Sequence, residues 1–172
     1  MSFSYDIIRE KLFSGKLTQT QVNGIEAILD EWDNQGHKDK RWLAYILATV
    51  YHETAKRMQP VKEFGGEAYL KTKKYYPYYG RDLVQTTWKE NYEKVKEFTG
   101  VDVVTKPYLI ADLKVAAATA IHFMVNGYYT GKKLSHYFNG KKDDPVNARR
   151  IINGTDKASQ IAEVYKVFLQ AL

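Results

Sequence analysis

Apolar residues recur three and four positions apart in five stretches of this chain, and that period confines it to a mainly helical fold. The stretch "LTQTQVNGIEAILDEW" sets Val22, Ile25, Leu29 and Trp32 on one face. It opens on Thr18 with Gln21 three residues later, the pattern in which each side chain satisfies the other's free backbone donor at a helix start, and "DNQGHK" ends it. Leu43, Ile46 and Val50 keep the spacing and predict a second helix from about Asp39 to Thr54, stopping before Pro60. "TWKENYEKVKEF" puts Trp88, Tyr92, Val95 and Phe98 on one stripe, with Thr87 and Glu90 spaced as a second reciprocal cap and Gly100 as terminator. A further helix uses Leu109, Leu113, Ala117, Ala120, Ile121 and Met124 and ends at Asn126-Gly127. The last begins near Asp156 and buries Ile161, Val164, Tyr165 and Phe168. Residues 55–86 read as one long irregular segment broken by Pro60, Gly65-Gly66, Pro77 and Gly80. Loops of that length inside a helical domain are often functional.

The length, 172 residues, is that of one ordinary domain, and no repeat or linker divides it, so a single catalytic-size unit over residues 1–172 is expected. The chain has no cysteine, which removes disulfides, thiolate metal sites and cysteine nucleophiles together. His37, His122 and His136 stand alone in sequence, so no metal and no other cofactor is indicated. The opening "MSFSYDIIREKLFSGK" lacks the form of a signal peptide. The longest apolar-looking stretch, "LIADLKVAAATAIHFMVNG", is interrupted by Asp112 and Lys114 and is too weak to span a bilayer. A soluble cytoplasmic monomer is therefore expected. Charge is unevenly spread: residues 1–50 hold 6 basic and 7 acidic side chains, residues 51–172 hold 20 and 13. The later part thus suits an anionic partner, whether nucleic acid, a cell-wall polymer or a membrane surface.

Against this pattern "ATVYHETAKRMQPVKE" is anomalous, because the stripe of Ile46 and Val50 continues onto Glu53, and burying a carboxylate is costly. His52-Glu53 suggests a zinc protease helix, but that chemistry needs a second histidine at position 56, which is Lys56. Glu53 with Glu63, ten residues on, fits a different requirement. Glycoside hydrolysis needs one carboxyl group that stays protonated near neutral pH, which partial desolvation favours, and one ionised carboxylate to activate water. Spacing alone also allows Glu53 simply to end its helix and Glu63 to be solvated. "KTKKYYPYYGR" combines four tyrosines, Tyr79 among them, with Lys71, Lys73, Lys74 and Arg81. Aromatic faces with cations suit a sugar-binding wall or a single-stranded nucleic-acid platform, and tyrosines packing the loop would read the same. Gln85, Thr87 and Asn91 surround a predicted helix start, where free donors can hold a water or an amide. "ARRIINGTDKASQIAEVY" reads as a turn at Asn153-Gly154 before a helix, with Arg149 and Arg150 able to bind an anion but expected to face solvent.

Three of these pieces, "ATVYHETAKRMQPVKE", "YYPYYGRDLVQTTWKENY" and "ARRIINGTD", in that order, resemble the catalytic domain of glycoside hydrolase family 19, most closely its short phage-endolysin branch. The resemblance covers nearly the whole chain. It implies a lysozyme-like, mainly α domain with a central substrate cleft, and inverting hydrolysis of β-1,4 links between N-acetylated amino sugars. It implies Glu53 as general acid and Glu63 as general base, with Glu67 in reserve because loop length varies. Thr87 matches the water-holding hydroxyl, and Gln85, Asn91 and Asn153 match substrate-binding positions, with Tyr79 and Arg81 as further candidates for the sugar wall. Two departures stand in the second motif: Asp82, where glycine is usual and which could pair with Arg81 or alter the loop, and Thr86, where an apolar residue is usual. The absence of cysteine pairs favours the phage branch over the plant one. The partner so implied is bacterial peptidoglycan in an anionic envelope rather than nucleic acid. The enzyme would be made in the host cytoplasm and reach the wall through a holin-type lesion. Chitin as substrate, or a noncatalytic nucleic-acid module, are the alternatives.

Overall fold

The computed structural model describes residues 2–172. The first two predicted helices form as the pattern predicts. Thr18 Oγ1 accepts from the Gln21 amide at 3.1 Å while Gln21 Oε1 accepts from the Thr18 amide at 2.9 Å. That reciprocal cap opens α2 (Gln19–Gln35), which Gly36 closes at φ 77°. Asp39 caps α3 (Lys40–Glu53) by accepting from the Arg41 amide at 2.9 Å. Ahead of these lies α1 (Tyr5–Leu12); after them come α4 (Glu67–Leu70), α5 (Lys89–Thr99), α6 (Leu113–Asn126) and α7 (Ala158–Ala171). Short 3₁₀ turns occupy Pro107–Ala111, Leu134–His136 and Asn147–Ile151. The described residues contain no strand, only an isolated bridge between Phe138 and Asp143.

Two helices are buried on nearly every side, as their all-round apolar sequences require. In α3 each residue from Leu43 to Tyr51 is buried, and in α6 each from Val115 to Ile121. Around them, α7 packs along α3 and α1, and α2 along α6. The Ser4 amide donates to the Ala171 carbonyl at 2.9 Å, joining the start of the first helix to the end of the last. The apolar side chains fall into two clusters. The larger holds Trp32, Tyr45, Phe138 and Phe168; the smaller holds Tyr92, Val95, Val103, Ile110, Val115 and Phe123, from α5, α6 and the segment between them. Tyr129, just after α6, packs against both.

The structure corrects four local expectations. Helix α5 begins at Lys89, so Thr87 and Glu90 do not form a reciprocal cap; the Thr87 hydroxyl donates instead to the Gln85 carbonyl at 2.9 Å. The cause is the backbone, which takes φ 56° at Gln85 and 80° at Trp88 and so turns the chain sharply before the helix starts. The stripe predicted from Trp88 to Phe98 is buried only at Tyr92 and Val95. Trp88 precedes the helix and is 45% exposed, and Phe98, 42% exposed, stacks on His122 with ring centroids 3.6 Å apart. Residues 109–124 are not one helix either: Asp112 interrupts them and caps α6 by accepting from the Val115 amide at 3.2 Å. Finally, Arg149 does not face solvent. It is 3% exposed, because its guanidinium turns inward to a carboxylate.

Candidate active site

Glu53 is the last residue of α3, where the buried stripe of that helix runs out into a cavity. Its side chain is 20% exposed, and its Oε1 accepts from Arg149 Nη1 at 2.8 Å. Arg149 is fixed in turn by donating from Nε to the Asp156 carbonyl at 2.8 Å. The half-buried carboxylate thus has the cation that such burial calls for, supplied by the 3₁₀ turn Asn147–Ile151 that opens the third sequence motif. The ion pair engages one oxygen of Glu53.

The cavity, about 290 Å³, is walled by the loop before α5, the first turn of α5, Tyr129 and the turn after Arg149. Its side chains include Gln85, Thr87, Asn91 and Asn153, so five residues selected from the sequence, Glu53 with these four, converge on one site. Each is held locally. The Gln85 amide donates to the Val61 carbonyl at 2.6 Å, and the Asn91 amide donates to the Thr87 carbonyl at 2.8 Å. The Asn153 backbone amide donates to the Arg149 carbonyl at 2.9 Å, which ties the third motif to the Glu53 pair. Gln85 and Trp88, both lining the cavity, carry the positive φ angles noted above. Non-glycine residues in that region are strained by roughly 1–3 kcal/mol each and concentrate at functional sites.

Glu63 lies in the adjoining irregular segment. Its backbone amide donates to the Gly80 carbonyl at 2.7 Å, and its Oε2 accepts from the Gly80 amide at 3.2 Å. Its Oε1 accepts from the Tyr75 hydroxyl, and that bond, above all, pushes the Tyr75 phenol up to about 12, so the phenol keeps its proton and donates. Two routes of contact lead from Glu63 to the Glu53 cavity. Tyr75 meets Trp88 edge to face with centroids 5.4 Å apart. Gly80 has its α-carbon against the Gln85 side chain, where an added methyl would come within 2.5 Å of Oε1.

Glu67, at the start of α4, is exposed and accepts from Tyr79 and Tyr76 hydroxyls, each at 2.9 Å, with Lys62 3.4 Å away. The Tyr79 and Tyr76 hydroxyls, with Lys62 behind them, hold its carboxyl below the usual range. Tyr79 itself is buried, and Arg81 stacks on its ring with the guanidinium carbon 3.6 Å from the centroid. Arg81 also donates to the Pro77 carbonyl at 2.7 Å and to the Tyr92 hydroxyl at 3.2 Å. Tyr79 and Arg81 therefore brace the loop, and neither lines the Glu53 cavity. Asp82 does not pair with Arg81: it is buried, with Oδ1 accepting from the Thr86 amide at 2.8 Å.

Sequence reasoning set Arg149 toward solvent and passed over Tyr129. For Arg149 a signal existed, since a carboxylate on an apolar stripe requires a cation and the third motif offers two arginines. Tyr129 sits in a turn, "NGYYTG", with nothing in its spacing to mark it. A larger cavity, about 530 Å³, lies beside α2, α5 and α6 and is lined by Glu31, Phe98 and Asp112 among others, but it holds none of the selected residues. Convergence of polar groups, not volume, singles out the smaller one.

No family model matches the chain. The acidic endochitinase SP2 of Beta vulgaris is 25% identical over 189 aligned residues, which cover 95% of this chain and 65% of that protein. The chain thus spans about two thirds, 65%, of the length of the curated relative it matches. Among solved structures, chitinase C from Streptomyces griseus superposes with a TM-score of 0.63 at 19% identity, over 98% of this chain and 76% of that one. A family 19 class IV chitinase from Zea mays gives 0.62 at 19% identity, over 96% and 92%. A bacterial family 19 chitinase gives 0.62 at 21% identity, over 98% and 94%. The fold is accordingly the lysozyme-like helical fold of the family 19 chitinases.

Proposed function

We propose that the protein is a glycoside hydrolase that cleaves β-1,4 bonds between N-acetylated amino sugars, acting as a phage endolysin on the glycan strands of bacterial peptidoglycan. The observation that carries the reading is the convergence of Gln85, Thr87, Asn91 and Asn153 around a Glu53 carboxyl held on one oxygen by a buried arginine. In this reading Glu53 protonates the leaving glycosidic oxygen through the oxygen that Arg149 leaves free. Glu63, aligned by Tyr75 and Gly80, takes the proton of a water that attacks the opposite face of the sugar, and Thr87 helps to hold that water. The anomeric centre inverts in one displacement, which requires carboxyl groups roughly 6.5–9.5 Å apart when substrate is bound. Glu63 suits the base better than Glu67, because Glu67 is engaged by two phenols and an ammonium and is thereby a weaker base. The plane amides of Gln85, Asn91 and Asn153 suit the N-acetyl groups of either polymer.

By its relatives in sequence and fold, which are named chitinases, chitin is an equally supported substrate. The basic later part of the chain and the resemblance to the short endolysin branch favour peptidoglycan. As an endolysin, the protein would reach the wall from the host cytoplasm through a membrane lesion. Clearing of outer-membrane-permeabilised Gram-negative cells tests the reading. The wild type is expected to clear them, and Glu53→Gln to slow clearing by about 10²–10⁴-fold, the usual contribution of a general acid. Equal clearing by both would refute the assignment, while sugar release from chitin without clearing selects the chitinase reading.

A further inference from the structure

Asp82 is 1% exposed, and none of the ion pairs among the described residues includes it. A buried carboxyl without a cation is costly, and an apolar residue would fill the same space more cheaply, so its hydrogen bonds must do something an apolar side chain cannot. Its Oδ1 accepts from the Thr86 amide at 2.8 Å, closing the turn of residues 82–86. That turn contains Gln85 at φ 56°, a conformation that persists only where the surroundings over-determine it. The Thr86 hydroxyl, also buried, lies 3.0 Å from the Tyr129 hydroxyl, and Tyr129 lines the Glu53 cavity beside the turn. Burial holds the Asp82 carboxyl and the Tyr129 phenol above their ordinary ranges, so Tyr129 remains a neutral phenol with a proton to donate.

We propose that Asp82, Thr86 and Tyr129 form a buried polar staple that sets the cleft. Asp82 fixes the strained turn that delivers Gln85 and Thr87, and Thr86 ties that turn to Tyr129, which also lines the cavity. Asp82 and Thr86 are positioning residues, acting through their neighbours, and Tyr129 is a further residue that meets the sugar or its attacking water. The inference rests on the glycosidase reading of the cavity, and it is tested on two independent readouts.

Amide hydrogen exchange reads the staple without any substrate. In Asp82→Ala, exchange at Thr86 and Thr87 is expected to speed by about tenfold or more while the amides of α3 and α7 keep their protection. In Asp82→Asn, which keeps an acceptor for the Thr86 amide, it stays near wild type. Unchanged exchange in Asp82→Ala overturns the staple. Steady-state hydrolysis reads its consequence. Thr86→Val and Tyr129→Phe are each expected to lower kcat about tenfold with KM within about twofold, since a misplaced cleft wall weakens the transition state more than binding. Thr86→Ser restores the rate, and the double variant is no slower than either single one; multiplicative losses overturn the coupling. A wild type that cleaves no glycan but shows the expected exchange pattern refutes the glycosidase reading and supports the staple. Cleavage by the wild type, with variants matching it in both readouts, does the reverse.

Discussion

Arg149 holds two backbone-distant places together through one guanidinium, the Asp156 carbonyl and the Glu53 carboxylate. Removing one partner of a buried pair leaves the other's charge uncompensated, which typically costs 3–5 kcal/mol. Glu53 retains some solvent contact, so Arg149→Met is expected to lose about 2–3 kcal/mol in urea unfolding, and Arg149→Met combined with Glu53→Gln to recover part of that. Asp82 gives the opposite sign. Its carboxyl titrates above the ordinary 3.8 because burial disfavours the charged form. Below that value it is neutral in both folded and unfolded chains and carries no penalty. As pH rises through the folded value, ionisation favours the unfolded chain and stability falls. Asp82→Asn should therefore be more stable than wild type at pH 7, with the gain vanishing toward pH 3, as followed by thermal unfolding. The sequence marks Glu53 as an anomaly because a local period exposes it. Its partner is harder to read: the third motif offers two arginines, but Glu53 and Arg149 are 96 positions apart and no local pattern reports a contact of that range.

Helices whose ends and faces are written in neighbouring residues were legible, and segments governed by backbone conformation were not. Thr18 with Gln21 foretells the start of α2 because the cap partners lie within three residues, and the stripe of Leu43, Ile46 and Val50 locates α3. Thr87 with Glu90 has the same spacing, yet the turn at Gln85 and Trp88 overrides it, and that turn depends on contacts with Gly80, Val61 and Tyr75 from an earlier loop. The same lesson holds for Gly24 in α2. As a mid-helix glycine it should gain about 1 kcal/mol on replacement by alanine. In the fold, a methyl there would come within 1.7 Å of the Met58 carbonyl oxygen, a backbone atom that cannot swing aside. Steric overlap wins, and Gly24→Ala is expected to destabilise by about 3 kcal/mol or more in denaturant unfolding, because α2 must move off the 55–58 loop.

The whole molecule sets charge and access. Residues 51–172, which supply every side chain around Glu53, carry 20 basic against 13 acidic groups. If attraction to an anionic wall assists binding, raising salt from about 0.05 to 0.5 M should weaken adsorption to purified walls several-fold, through screening, and leave binding of neutral chitin oligomers unchanged. Equal salt response for both would remove the electrostatic part of the envelope reading. The cavity is bordered by α3 from the larger apolar cluster and α5 from the smaller, so its width depends on how the two cores sit together at Tyr129. Finally, the Ser4 amide bonded to the Ala171 carbonyl brings the two ends of the helical body to one point. A short linker could join them with little loop-closure entropy, and the chain could be reopened at an exposed turn such as that at Gly140. Circular permutation would then carry the third motif ahead of the first two while leaving the cleft they build unchanged, and the order of helices along the chain becomes a choice the fold itself does not impose.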